Sequence, residues 1–321
     1  MRLESISPDE IDLTRIGELE SVTSVLPRGG MNLLTELPEI VSYDDKTEGN
    51  GLRGRIYGLF NLAEHRHTIE KFHANALQGY VSPVGEEGSV FPGYLLLDAL
   101  FQQTGFFMPW AGCTGKGRAM GLTDVSFPSG ASLDEEVIHY SVDVLRLNEN
   151  SRLSLITADG VATTSAGKIL CTAKGLKVGM YGDFEKTDFC LDGIKDEAVP
   201  FFSDKPLVKD DGAYAHWRVD QSAWFFRDHF HNDPVMPGCL GVQALWNLCK
   251  EYFDSHGGSD MYSIDGAGKL DFRKEVLPSS SLVEYEIKNV RLNGLQLQAD
   301  GVVHIDCDKA YSVKDLTITS R

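Results

Sequence analysis

The stretch HFHNDPVMPG, residues 229–238, sets two histidines, an aspartate and two prolines immediately before an apolar run. A histidine so placed could act as a general base, because imidazole is the side chain whose ordinary pKa lies nearest neutral pH. A possible acid lies far away in the chain. Asp98 sits within LLLDALF, residues 95–101, with apolar neighbours on both sides. Burying a carboxylate without a partner is costly, so it should be neutral or paired, and either state suits an acid catalyst. Histidines before helices often only cap or join core hydrogen bonds, so neither residue type decides anything alone. What decides is a repeat.

FPGYLLLDALFQ begins at Phe91 and MPGCLGVQALWN at Met236, which puts Pro92 and Pro237 145 positions apart. The same offset carries VSFP, with Phe127, onto LDFR, with Phe272, and RLN at Arg146 onto RLN at Arg291. ADGV then recurs at Ala158 and Ala299 with an offset of 141, as a turn four residues shorter in the second copy requires. Ordered matches with one small slip mean two copies of one unit. Eight residues before the proline, the copies hold Val84 and His229; six after it, they hold Asp98 and Gln243. If the copies pair about a pseudo-twofold axis, one site receives His229 with Asp98. The other receives Val84 with Gln243 and should be inert. This spacing favours His229 over its neighbour His231, which reads as structural or superficial, and leaves Asp233, before Pro234, as a turn former. The backbone N–H groups of Gly238 and Cys239, at a helix start, would polarise a carbonyl oxygen placed there.

The elements that must hold these groups follow from the apolar pattern. Residues 92–108 and 237–253 are too long for ordinary strands, are apolar nearly all round and start on Pro-Gly, so they predict two enclosed helices. β-rich runs follow each: VIHYSVDVLRL, SRLSLITADGV and KILCTAKGLKVGMY, then LVEYEIKNVRL, LQLQADGVVHI and AYSVKDLTI. A buried helix with an antiparallel meander wrapped round it is a hot-dog unit, so the expected class is α+β, a double hot-dog paired as a pseudo-dimer. The expected organisation is a leader over residues 1–30, with a short helix over 8–20 capped by Ser7, an N-terminal unit over 31–185, a linker over 186–206 and a C-terminal unit over 207–321.

A chain of 321 residues with 42% hydrophobic content can build such cores, and its formal charge of −17 argues against general nucleic-acid or anionic-membrane binding. No apolar run approaches the roughly 20 residues that span a bilayer. The polar, acidic N-terminus lacks the pattern of a secretory signal, which predicts a cytoplasmic protein. Six cysteines are dispersed without a C-x-x-C pair, so they predict reduced, packed thiols and no metal centre.

WFFRDHFHNDPVMPGCLGVQALWNL, residues 224–248, resembles the active-site segment of the bacterial β-hydroxydecanoyl-acyl-carrier-protein dehydratase family, and the similarity runs on through KLDFRKEVLP. The first copy is similar but weaker, strongest over residues 91–181. The resemblance implies a histidine at His229, an aspartate at Asp98 contributed by the other unit, and a carbonyl-binding glycine at Gly238. It implies dehydration of 3-hydroxyacyl thioesters carried on the phosphopantetheine of acyl carrier protein, without metal or organic cofactor, and leaves trans-2 to cis-3 isomerisation open. Two departures stand out: Gln243 replaces the second copy's aspartate, and Asp228 precedes the histidine where well-known members have cysteine. Fused pairs of this kind resemble the dehydratase domains of polyunsaturated fatty acid synthases, which implies other domains of a multienzyme as partners. Polyketide synthase dehydratases take the histidine from the first half and the acid from the second, the reverse of the order here. The acidic chain must meet an acidic carrier protein through local lysines and arginines. The rival readings are a hot-dog acyl thioesterase and a non-catalytic acyl-binding module.

Overall fold

The computed structural model describes residues 27, 29–43, 52–77, 90–128, 131–132, 137–149, 153–182, 193–230, 233–258 and 261–320. The leader helix expected over residues 8–20, Val84 and His231 lie outside the described residues.

The first unit runs β1 (Glu36–Tyr43), β2 (Leu52–Asn61), α1 (Leu62–Leu77), β3 (Val90–Phe91), α2 (Gly93–Trp110), β4 (Lys116–Leu122), β5 (Asp124–Ser126), β6 (Ala131–Ser132), β7 (Val137–Glu149), β8 (Leu153–Thr164) and β9 (Ile169–Tyr181). The second runs β10 (Leu207–Lys209), β11 (Gly212–Arg218), α3 (Phe225–Asp228), α4 (Gly238–Ser255), β12 (Tyr262–Ala267), β13 (Leu270–Phe272), β14 (Leu282–Asn293), β15 (Gln296–Ile305) and β16 (Asp308–Ser320).

The meanders β7-β8-β9 and β14-β15-β16 are antiparallel, and period-two alternation aims one face of each at its helix. Ile138, Tyr140 and Val142 are buried on β7, and Val283, Tyr285 and Ile287 take the same places 145 positions later on β14. Residues 94–108 of α2 are buried throughout, which is why its sequence shows no polar stripe. The two units share one continuous sheet, whose junction repeats the duplication residue by residue. Gly121 and Leu122 pair with Asp271 and Leu270, while Gly266 and Ala267 pair with Ser126 and Val125. Each pair is the other shifted by 145 positions, the signature of a pseudo-twofold axis. Helices α2 and α4 pack against each other beside that axis. The architecture is the double hot-dog. Among the described residues, no helix is long and apolar enough to cross a membrane.

Candidate active site

Pro92 and Pro237 take extended backbone just ahead of α2 and α4, and their carbonyls accept the N–H of Leu95 at 3.0 Å and of Leu240 at 3.1 Å. Proline has no N–H to leave unpaired at a helix start, so the sequence begins both helices at the same point. The paired geometry then brings Asp98 of α2, in the first unit, to the same cavity as His229, Gly238 and Cys239 of the second. Phe101, Phe272, Val178 and Met236 supply much of its apolar wall.

His229 is 8% exposed and Asp98 5%, so burial dominates the titration of both. Burial lowers the His229 pKa to about 3; the Val235 carbonyl opposes that shift and the positive charge of Arg118 adds to it. The ring is therefore neutral at pH 7. Its Nδ1 lies 3.1 Å from the Val235 carbonyl oxygen, which can only accept, so Nδ1 carries the proton. Nε2 is left as a lone-pair base. A backbone frame holds the residue: the N–H of His229 donates to the Phe225 carbonyl at 2.8 Å, and its own carbonyl accepts from Val235 at 2.9 Å.

Burial raises the Asp98 pKa to about 6, against hydrogen bonds from Gln102 and the Cys239 thiol that favour the carboxylate. Gln102, one helical turn on, donates its Nε2 to Asp98 Oδ2 at 2.7 Å and to the Met31 carbonyl at 2.9 Å. Its Oε1 accepts from the N–H of Leu33 at 3.4 Å. Gln102 thus ties the carboxyl orientation to the first unit's backbone. Cys239 was expected to contribute only its N–H. Its side chain reaches across to Asp98 as well, and burial pushes the thiol pKa well up, so it is a hydrogen-bond donor.

Three further charged residues that line the cavity, Arg118, Lys274 and Glu275, escaped the sequence reading. Arg118 of β4 bonds Asp233 at 2.6 Å and also pairs with Glu275, both from the second unit. Lys116 stands 3.6 Å from Asp233, and Lys274 lines the wall. Asp233 does close a turn, with backbone bonds to and from Phe230. Its carboxylate additionally pins the His229 loop to the opposite unit, with the Arg118 guanidinium 5.7 Å from the centre of the Phe230 ring. Asp228, immediately before the histidine, accepts from Gly30 N–H at 3.1 Å and from Arg227 at 2.7 Å. It anchors the helix turn behind the histidine to the first unit.

The pseudo-equivalent constellation has no carboxylate at the helix position that matches Asp98. Gln243 is fully buried, donates to Asn247 at 2.8 Å, and leaves its Oε1 without a hydrogen-bond partner. Tyr94, which occupies the place of Cys239, bonds His73, whose Nε2 donates to the Gly30 carbonyl at 2.9 Å. Among the described residues, no cluster of His, Cys, Asp and Glu side chains is arranged to hold a metal ion.

The model of the FabA-like domain matches residues 86–174 and 208–314, one match in each unit. The chain belongs to the FabA-like domain family. The double match follows the duplication, and both candidate residues fall inside it. Among solved structures, this FabA-like chain is similar to the dehydratase domain of RzxB from Pseudomonas fluorescens, at 12% identity and TM-score 0.49, covering 89% of this chain and 98% of that one. It is similar to the dehydratase domain from the CurJ module of the curacin polyketide synthase, at 10% identity and TM-score 0.49, covering 90% and 97%. A structure assigned as an oleoyl thioesterase from Lactobacillus plantarum is matched at 11% identity and TM-score 0.48, covering 72% and 90%. Likeness at that distance spans two chemistries and carries no functional argument.

Proposed function

We propose that this chain is a lyase that removes water from 3-hydroxyacyl thioesters to give trans-2-enoyl thioesters, with His229 as base and Asp98 as acid. The observation that carries the reading is one cavity holding a neutral imidazole from one unit and a carboxyl of raised pKa from the other. Two titratable groups displaced in opposite senses are what paired proton removal and delivery need.

Nε2 of His229 takes a proton from C2 of the substrate. The electron pair moves toward the thioester carbonyl, whose oxygen rests on the N–H of Gly238 with Cys239 beside it. Collapse of that charge forms the C2–C3 double bond and expels the C3 hydroxyl, which leaves as water with the Asp98 proton. The proton on His229 and the charge on Asp98 then relax through solvent. Neither step calls for a metal or an organic cofactor.

The acyl group arrives on the phosphopantetheine arm of an acyl carrier protein, which would meet the partly exposed Lys116 and Lys274. The setting is fatty acid or polyunsaturated fatty acid synthesis, supported by an acid in the first half and a base in the second.

Incubation with a 3-hydroxyacyl thioester tests the proposal. Conjugated enoyl absorbance without release of free thiol is the expected result. Free thiol without enoyl product marks a thioesterase, and neither product marks an acyl-binding module. Conjugation that forms and then decays reports trans-2 to cis-3 isomerisation as well.

A further inference from the structure

A second cavity shares the wall residue Met236 with the first. Its walls are Phe72 and His73 of α1, Tyr94, Trp217, Trp224 and Tyr285, with Val199, Pro200 and Phe201 arching across it. Met236 lines both cavities, and the adjacent Leu240 lines the second. Met236 is thus a flexible side chain with one face toward the site and one toward an aromatic chamber. Nothing in the dehydration chemistry uses that chamber.

Two of its polar side chains are engaged with each other: His73 spans Tyr94 and the Gly30 carbonyl, and burial holds its pKa down to about 4, so it is neutral. The chamber thus offers aromatic faces and no charge. Trp224 meets Phe72 at a tilt with centroids 4.7 Å apart and His73 edge-on at 5.2 Å, so the walls are closely packed rings. The arch is less enclosed, with Val199 and Phe201 half-buried and Pro200 exposed. Methionine suits a yielding partition, since its unbranched thioether changes rotamer at little cost.

We propose that the far end of a long acyl chain passes Met236 and seats in this aromatic chamber, so that the chain prefers long 3-hydroxyacyl thioesters over short ones. The inference rests on the dehydratase reading for the position of the thioester and commits to the substrate class. Each methylene that leaves water for the chamber raises kcat/KM by roughly fourfold.

Two variants and one optical probe test it. With a series of 3-hydroxyacyl thioesters, kcat/KM should rise with chain length in the native protein. Val199→Trp, which fills the chamber from its open arch, should lower the long-to-short ratio about tenfold. Met236→Ala, which removes the partition, should raise that ratio. A long-chain acyl thioester brominated at its far end should quench Trp217 and Trp224, and the Val199→Trp variant should weaken its affinity. A ratio within twofold of native in a folded Val199→Trp protein, or no chain-length preference in the native one, overturns the inference. Quenching separates the two readings. If it occurs but no chain length yields enoyl product, the dehydratase reading falls and the chamber stands; enoyl product without quenching by the long chain sinks the chamber alone.

Discussion

The two helix starts keep the same scaffold and differ in what they can do with a proton. In the first, Asp98 and Gln102 form a one-turn pair at 2.7 Å; in the second, Gln243 and Asn247 form the same pair at 2.8 Å without a charge. Phe101 meets Phe272 edge-on at 6.2 Å, and its counterpart Trp246 meets Phe127 edge-on at 5.7 Å. Arg118, which pins the histidine loop, corresponds to the fully buried Ser263. The aromatic pair survived the divergence, whereas the carboxylate of Asp98 and the guanidinium of Arg118 have no counterparts. A buried charge destabilises the fold unless something offsets it, whereas a buried aromatic pair stabilises both halves equally. On the proposed reading, one working site per pair would let the other half relax its polar burden.

The largest effect that would break this contrast is on turnover. His229→Ala and Asp98→Asn should each lower kcat by on the order of 10²-fold or more, measured as enoyl formation. Gln243→Leu, at the place of Asp98 in the other half, should leave kcat within about twofold. Equal losses in both halves would mean that the two constellations work together.

Stability should run the other way for the acid. The Asp98 pKa is raised in the fold from 3.8 to about 6, so between those values the folded protein binds more protons than the unfolded chain. Stability attributable to Asp98 therefore falls as pH rises through that window, by up to about 3 kcal/mol. Asp98→Asn removes this loss and should raise Tm at pH 8 while removing activity. A lower Tm at pH 8 would show that the carboxylate is better solvated than its burial implies. His229 behaves in the opposite sense. Its pKa is lowered from 6.5 to about 3, so stability is lost as pH falls through that range.

The same values set the rate profile. The proposed reaction needs Asp98 protonated and His229 neutral, so kcat/KM should fall about tenfold per pH unit above about pH 6, where the free protein loses the Asp98 proton. Asp98→Asn should flatten that limb in whatever activity remains. A descending limb that persists in the variant would assign it to another group.

Much of this was legible because duplication writes each position twice. The offset of 145 located both helices, both meanders and the complementary loss of His at Val84 and Asp at Gln243 before any coordinates. What stayed hidden was the cross-unit polar frame. Arg118 and Asp233 are 115 positions apart, and nothing in either local sequence announces the other. Gln102 was within reach, since a residue four beyond a buried carboxylate on a helix is its natural partner. The Cys239 thiol was read only for its backbone because a helix start draws attention to N–H groups. Strands β1 and β2 and helix α1 were not assigned, because the repeat gives them no counterpart in register.

The smallest effect gives the sharpest comparison, because it uses the same substitution twice. Gly238 and Gly93 open α4 and α2 in equivalent places, and neither has a positive φ, so alanine strains no backbone at either. A Cβ on Gly238 would meet Phe272 Cε1 at 2.8 Å, and one on Gly93 would meet Phe127 Cε1 at 3.0 Å. In both cases an aromatic ring has to tilt, so Gly238→Ala and Gly93→Ala should shift Tm by similar, small amounts. Phe272 lines the cavity of His229 and Asp98, and Phe127 does not. Gly238→Ala should therefore reshape the carbonyl position and lower kcat by up to about tenfold, while Gly93→Ala leaves kcat unchanged. Matching losses of kcat would mean that ring packing limits the reaction generally. Matching retention would mean that Phe272 yields to the new Cβ without displacing the carbonyl, since alanine keeps the N–H, and would overturn the claim that the bare Cα of Gly238 shapes the carbonyl position.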